Sequence, residues 1–156
     1  MQHRIRAAAL VIQAAKILMV RHRTKANGAE WWIPPGGGVE LEDLTIMDCA
    51  NRETWEETGL TVQCDRIAYI REFSQPEYDL RHVEFFLVGA DPTGAITLAN
   101  LPQLDDDLHL VLEAQWLSRS QLVNLVVYPE ILQTDEFWQD VDQGFPQVKY
   151  LSRQVY

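Results

Sequence analysis

A chain of 156 residues, 47% hydrophobic and 23% charged, is of a size for one domain with its own core, and its composition excludes a disordered, collagen-like or low-complexity protein. The formal net charge of −10 is unevenly spread: residues 1–29 hold Arg4, Arg6, Lys16, Arg21, Arg23 and Lys25 and no acid, whereas the remainder carries 7 basic and 23 acidic residues. That balance excludes a coat for nucleic acid, which needs Lys and Arg on one continuous face, but suits a small anionic ligand bound through a metal.

Residues 5–13 and 16–22 are rich in Ala, Val, Ile and Leu, and their short join predicts an antiparallel hairpin. Asn27-Gly28 marks a loop over residues 24–30, and Trp31-Trp32-Ile33 reads as a brief strand. Pro34-Pro35 and the run Gly36-Gly37-Gly38 predict irregular backbone from there to about residue 44. Thr45 with Asp48 has the spacing of a capping box, so a helix is expected from Ile46, with Gly59 as its stop. Strands are expected over residues 60–73 and 80–88 around a turn at 74–77; in the second, His82, Glu84 and Phe86 share one face. Residues 91–108 read as a long loop containing Asp105-Asp106-Asp107, followed by a strand at 112–117 and a short helix at 118–125. A last helix is predicted over residues 130–141 behind Pro129, and Gly144-Phe145-Pro146 opens an irregular tail. Cys49 and Cys64 form neither a CxxC pair nor a disulfide framework, so a reducing, cytoplasmic setting is expected. No apolar run approaches the ~20 residues of a membrane-spanning helix, and no membrane partner is expected.

Chemistry concentrates in the first helix. Glu53, Glu56 and Glu57 stand at i, i+3 and i+4, within an arc of about 100°, so three mutually repelling carboxylates point the same way. Hard divalent cations such as Mg²⁺ or Mn²⁺ are natural partners for such a cluster; a solvated acidic face is the alternative. Arg52, four residues before Glu56, is placed to hold a carboxylate. Gly36 to Gly38 just ahead let backbone groups approach a phosphate or metal closely.

The segment 37–60, GGVELEDLTIMDCANRETWEETGL, resembles the Nudix box, G-x5-E-x7-R-E-U-x-E-E-x-G-U, at Arg52, Glu53, Glu56, Glu57, Gly59 and Leu60. Thr54 replaces an aliphatic residue, and the loop is one residue longer than the pattern: the family's first Glu falls on Asp43 counted from Gly37 and on Leu44 counted from Arg52. Asp43 or Glu42 is expected to support Arg52 in its place. The resemblance implies one α/β domain over residues 1–156, a Nudix-type α/β/α sandwich with a mixed central sheet and a catalytic loop-helix motif. It also implies divalent-metal-dependent hydrolysis of a nucleoside diphosphate linked to a group X, with a small nucleotide as partner, and it allows a homodimer. On that reading Glu53, Glu56, Glu57 and a carbonyl of the glycine loop, at Gly37, hold Mg²⁺ or Mn²⁺, and Arg52 orients a carboxylate. The general base is a helix glutamate, an acid of 105–107, or Glu113. Arg4, Arg6, Arg21, Arg23, Trp32 and Glu113 are the candidate substrate contacts; either Trp31 or Trp32 stacks on a base, and at least one belongs to the core. His82 and His109 receive no role. Pro76 and Tyr78 match the family's cues for ADP-ribose and for dinucleoside polyphosphates respectively, so neither decides; a nucleoside diphosphate sugar such as ADP-ribose is favoured, with nucleoside triphosphates next. The alternative is a non-catalytic nucleotide-binding regulatory module of the same fold, which would be expected to lose helix carboxylates that this chain keeps.

Overall fold

The structure is a computed structural model describing residues 1–103 and 109–155. Its strands are β1 Gln2–Gln13, β2 Lys16–Thr24, β3 Glu30–Ile33, β4 Gly36–Gly38, β5 Thr61–Gln75, β6 Leu80–Thr93, β7 His109–Ser118 and β8 Lys149–Val155; its helices are α1 Ile46–Thr58, α2 Arg119–Leu122 and α3 Asp135–Asp142. The sheet order is β3-β2-β1-β6-β5-β8, with β4 also on β1 and β7 also on β2. β1 runs parallel to β6, and β8 parallel to β5; the other pairings are antiparallel, so the sheet is mixed.

The predicted hairpin forms, but β1 and β2 pair only at their tips, Ile12 with Ile17 and Gln13 with Lys16. Ala14 and Ala15 both take positive φ, 50° and 59°, as a tight two-residue hairpin turn requires. Beyond the tips the two strands part: β2 pairs with β3 and β7, and β1 pairs instead with β4 and β6. Alternation along β1 then divides the interior. Ala7, Ala9 and Val11 pack toward α1 with Cys49, Ala50 and Leu87. Ala8 and Leu10 face the other way, toward Phe86, Trp32, Phe137 and Trp138. The result is an α/β/α sandwich whose β1 carries core on both faces.

Four expectations change. Gly36 to Gly38 are not irregular: they form β4, paired with Arg6, Ala7 and Ala8 of β1. Without side chains they lie flat against a strand edge, where a Cβ on Gly36 would come within 2.5 Å of Ala8 Cβ. The tail is not irregular either, because β8 adds to β5. The predicted last helix is divided into a 3₁₀ turn at Glu130–Gln133 and α3, whose N-cap Thr134 accepts from the Phe137 N–H. The helix expected over 118–125 is confined to α2, capped reciprocally by Ser118 and Gln121.

Candidate active site

Helix α1 begins and ends as its local chemistry dictates. The Thr45 side chain accepts from the Asp48 N–H while Asp48 accepts from the Thr45 N–H, and Gly59, at φ 78°, closes the last turn by donating to the Trp55 carbonyl. Thr54 is buried and donates its hydroxyl to the Ala50 carbonyl at 2.7 Å, so it packs inward without disturbing the register.

Arg52 is the hub of the acidic face. Its Nε and Nη2 donate to Asp43 at 3.0 and 2.8 Å, and its Nη1 donates to Glu53 at 3.0 Å and Glu56 at 3.2 Å. Nη2 also donates to the Gly38 carbonyl at 3.1 Å, tying helix to β4, and Glu40 approaches Nη1 at 3.8 Å. Asp43, in the loop before the helix, is therefore the acid that Arg52 holds on two nitrogens. Glu42 is exposed, and among the described residues no ion pair joins it to Arg52. Hydrogen bonds from Arg52 hold the Asp43 carboxyl below its ordinary range.

The three helix carboxylates sit in different surroundings. Glu57 is buried; its Oε1 accepts from the Gly36 N–H at 2.8 Å, and its Oε2 lies 3.3 Å from His22 Nε2. Burial, followed by the charge of Glu57, pushes the Glu53 carboxyl up to about 7 against the pull of Arg52. Burial also raises Glu56. Gly37 lies tight against the cluster, since a Cβ there would meet Glu53 Oε1 at 2.2 Å. Mutually repelling carboxylates beside bare backbone, one buried and two half-buried, form a donor set of the kind a hard divalent cation takes. Among the described residues no three acidic, histidine or cysteine side chains already enclose a common point; Mg²⁺ commonly takes one or two carboxylates and completes its shell with water and substrate phosphate.

A cleft of about 580 Å³ opens over this cluster. Gly37, Glu53, Glu56 and Glu57 line one part of it, Arg4 and Arg6 another, and an aromatic wall of Trp31, His22, His109 and Tyr128 a third. Trp31 lies parallel to His22 at 5.7 Å and edge-on to His109 at 4.9 Å. The remaining predicted contacts lie elsewhere. Trp32 belongs to the core, and it is Trp31 that faces the cleft. Arg21 pairs with Glu30 at 2.8 Å and Glu113 at 3.1 Å, and Arg23 pairs with Glu30 at 2.6 Å, so these charges pair with one another outside the cleft lining. Pro76 and Tyr78 form a 3₁₀ turn beyond the lining, although Gln75 and Leu80 on either side contribute to it. Asp105 to Asp107 lie outside the described residues. Sequence reasoning missed His22, Glu40, Arg71, His82 and His109; only His82 left a usable trace, in its alternation with Glu84 and Phe86.

The family model described as NUDIX domain matches residues 2–139. This chain belongs to the NUDIX family. It is 35% identical over 65 residues to the m7GpppN-mRNA hydrolase NUDT17 of Homo sapiens, a stretch covering 40% of this chain and 20% of that protein. Over 73 residues it is 30% identical to the phosphatase NudJ of Escherichia coli (strain K12), 47% of this chain and 46% of NudJ. The chain thus spans less than half the length of these curated relatives. The solution structure of the E. coli ORF135 protein superposes with a TM-score of 0.69 at 16% identity, covering 94% of this chain and 95% of that one, which is a likeness of fold. The NUDIX fold accounts for the order strand, glycine strand, acidic helix found at this cleft.

Proposed function

We propose that this NUDIX chain hydrolyses a diphosphate linkage in a nucleoside diphosphate derivative with the help of Mg²⁺ or Mn²⁺, nucleoside diphosphate sugars such as ADP-ribose ahead of nucleoside triphosphates. The observation that carries this reading is the Arg52 hub, which gathers Glu53 and Glu56 beside the Glu57–Gly36 contact at the edge of a cleft. Glu53, Glu56 and Glu57 would hold the ion; the Gly37 Cα lies against Glu53, and the Gly37 carbonyl, a further candidate ligand, accepts from the Cys49 thiol at 3.7 Å. When bound, the ion supplies Lewis-acid stabilisation of charge developing on phosphate oxygens.

The chain's own groups do the rest. Arg52, held by Asp43, keeps the carboxylates in place and does not touch substrate. The Gly36 N–H fixes one oxygen of Glu57, and His22 stands at the other. The proton of the attacking water passes to a carboxylate of the cleft, on α1 or at Glu40. Trp31 offers an aromatic surface on which a nucleobase can stack, worth about 1–3 kcal/mol. The test is a panel of nucleoside diphosphate sugars, nucleoside triphosphates and dinucleoside polyphosphates, assayed with Mg²⁺ and with Mn²⁺. Cleavage at the diphosphate of at least one class is expected, and no hydrolysis anywhere on the panel refutes the reading.

A further inference from the structure

The sheet face that floors the cleft changes character rung by rung. Ala8, Phe86 and Tyr69 stand side by side on β1, β6 and β5 and are core. One step further along the strands the rung is Arg6, Glu84 and Arg71, and the step after that is Arg4, His82 and Phe73. The sequence of rungs thus passes from apolar packing to ionic pairing within two residues of each strand.

Glu84 is wholly buried and accepts from Arg6 Nε at 3.3 Å and Arg71 Nε at 2.7 Å. Burial opposes its ionisation, yet Arg71 and Arg6 hold its carboxyl below the ordinary range. Arg71 is itself only 2% exposed, and its guanidinium lies 4.8 Å from the Phe73 ring centroid. Two guanidiniums on one buried carboxylate leave an excess of positive charge where an apolar rung would cost less. His82 is also 2% exposed, stacks on Phe73 at 4.3 Å, and its Nε2 lies 3.0 Å from Gln75 Oε1. With a carboxamide oxygen as partner Nε2 donates, and His82 Nδ1 is a buried acceptor with no hydrogen-bond partner among the described residues. Burial, then Arg6 and Arg4, push His82 down to about 4, so it adds no charge at neutral pH. Arg4 has no ion pair among the described residues, and its Nη2 would be 2.6 Å from a Cβ on Gly38. Arg4, Arg6, Arg71 and His82 all line the cleft.

Nothing in the hydrolysis proposed above uses this rung, and its charge is opposite to that of the helix cluster. We propose that Arg4 and Arg6 form a second anion site, for a carboxylate or phosphate carried by the X group of the nucleoside diphosphate-X substrate. Glu84 and Arg71 are positioning residues for it. Glu84 occupies Arg6 Nε and leaves the two Nη groups of Arg6 for bidentate capture of an oxyanion. Gly38 separates the two ends of the site: its carbonyl faces Arg52 and its bare Cα faces Arg4, so cation and anion sites lie on either side of one strand without a side chain between them.

The inference rests on the proposed reaction, and its test separates the two. Equilibrium binding to the metal-free protein is measured calorimetrically for UDP-glucose, UDP-glucuronate and UTP, in wild type, Arg4→Gln, Arg6→Gln and Glu84→Gln. Wild type is expected to favour at least one of the two ligands with a charged X group over UDP-glucose, whose X group is neutral, by roughly tenfold, the magnitude of one charge-assisted hydrogen bond. Preference for UDP-glucuronate assigns the site to a carboxylate; preference for UTP assigns it to a phosphate. Arg4→Gln, at an exposed position, and Arg6→Gln each abolish most of that preference. Glu84→Gln reduces it although both cations remain, a result that a purely structural role would not give. Equal binding of all three ligands, no binding of any, or a loss in the arginine variants that is the same for UDP-glucose as for the ligands with a charged X group overturns the anion site. An unchanged preference in Glu84→Gln overturns the positioning role. Hydrolysis of UDP-glucose with Mg²⁺ reads the underlying reaction independently.

Discussion

The three consecutive glycines of β4 are predicted to fail in three different ways when each is replaced by alanine. At Gly37 the new Cβ would sit 2.2 Å from Glu53 Oε1, where ordinary contact begins at 3.4 Å, so the carboxylate has to retreat by about 1 Å. The obstructing atoms are the tip of a side chain, which can swing, so the fold survives. A displacement of that size at a reacting centre costs about 10²-fold in rate. At Gly36 the Cβ would meet Ala8 Cβ at 2.5 Å and the Ala7 carbonyl oxygen at 2.6 Å, core and backbone atoms that cannot swing away. Overpacking there is expected to cost about 1–3 kcal/mol, and each kcal/mol lowers the Tm by about 2–4 °C in a domain of this size. At Gly38 the obstacle is Arg4 Nη2 at 2.6 Å, so the substitution shifts a guanidinium and erodes the preference for an anionic X group. Paired measurements of denaturant unfolding and Mg²⁺-dependent hydrolysis distinguish the three. A Gly37→Ala variant with wild-type kcat and lowered stability, beside a Gly36→Ala variant of unchanged stability, would be incompatible with these contacts.

Asp43→Asn weakens the grip on Arg52 and is expected to lower activity about 10- to 100-fold, whereas Glu42→Gln, at an exposed side chain, leaves kcat unchanged; steady-state kinetics of the pair checks which acid replaces the family's first Glu. Glu53 has a raised carboxyl pKa of about 7 in the metal-free fold, so its protonated form contributes stability that is fully present below the ordinary carboxyl range and is lost as pH rises through about 7. Relative to Glu53→Gln, metal-free wild type should therefore melt lower at about pH 8 than at about pH 5, and added Mg²⁺ should release protons and remove the difference; identical pH profiles for the two proteins would contradict this. Ala14 and Ala15 hold positive φ without the residues that favour it, so replacing them with Asn-Gly is expected to stabilise the hairpin by about 1–2 kcal/mol in thermal or denaturant unfolding.

How much of this was legible in the sequence depended on how local the cause was. Helix α1 was readable because Thr45, Asp48 and Gly59 settle its ends within a few residues, and the carboxylate cluster follows from helical spacing alone. Strand β4 was not, because three glycines have no side-chain pattern and their strand character comes from the edge of β1. Strand β8 depends on a parallel pairing with β5 that nothing in residues 149–155 announces. Which tryptophan faces the cleft was undecidable in a four-residue strand; the packing of Trp32 in the core leaves Trp31 outside. The Arg6–Glu84–Arg71 rung joins residues 78 positions apart, so it needed the β1–β6 register before its charges could be read together.

Metal-dependent hydrolysis, as proposed, depends on the carboxylates of α1. Its most direct test compares wild type with Glu57→Gln, which keeps the size of the side chain and an oxygen to accept from the Gly36 N–H, on the best substrate of the nucleotide panel with Mg²⁺. A loss of about 10²–10⁴-fold in kcat with an unchanged melting profile is expected. A Glu57→Gln enzyme as active as wild type, folded and equally dependent on Mg²⁺, would contradict it.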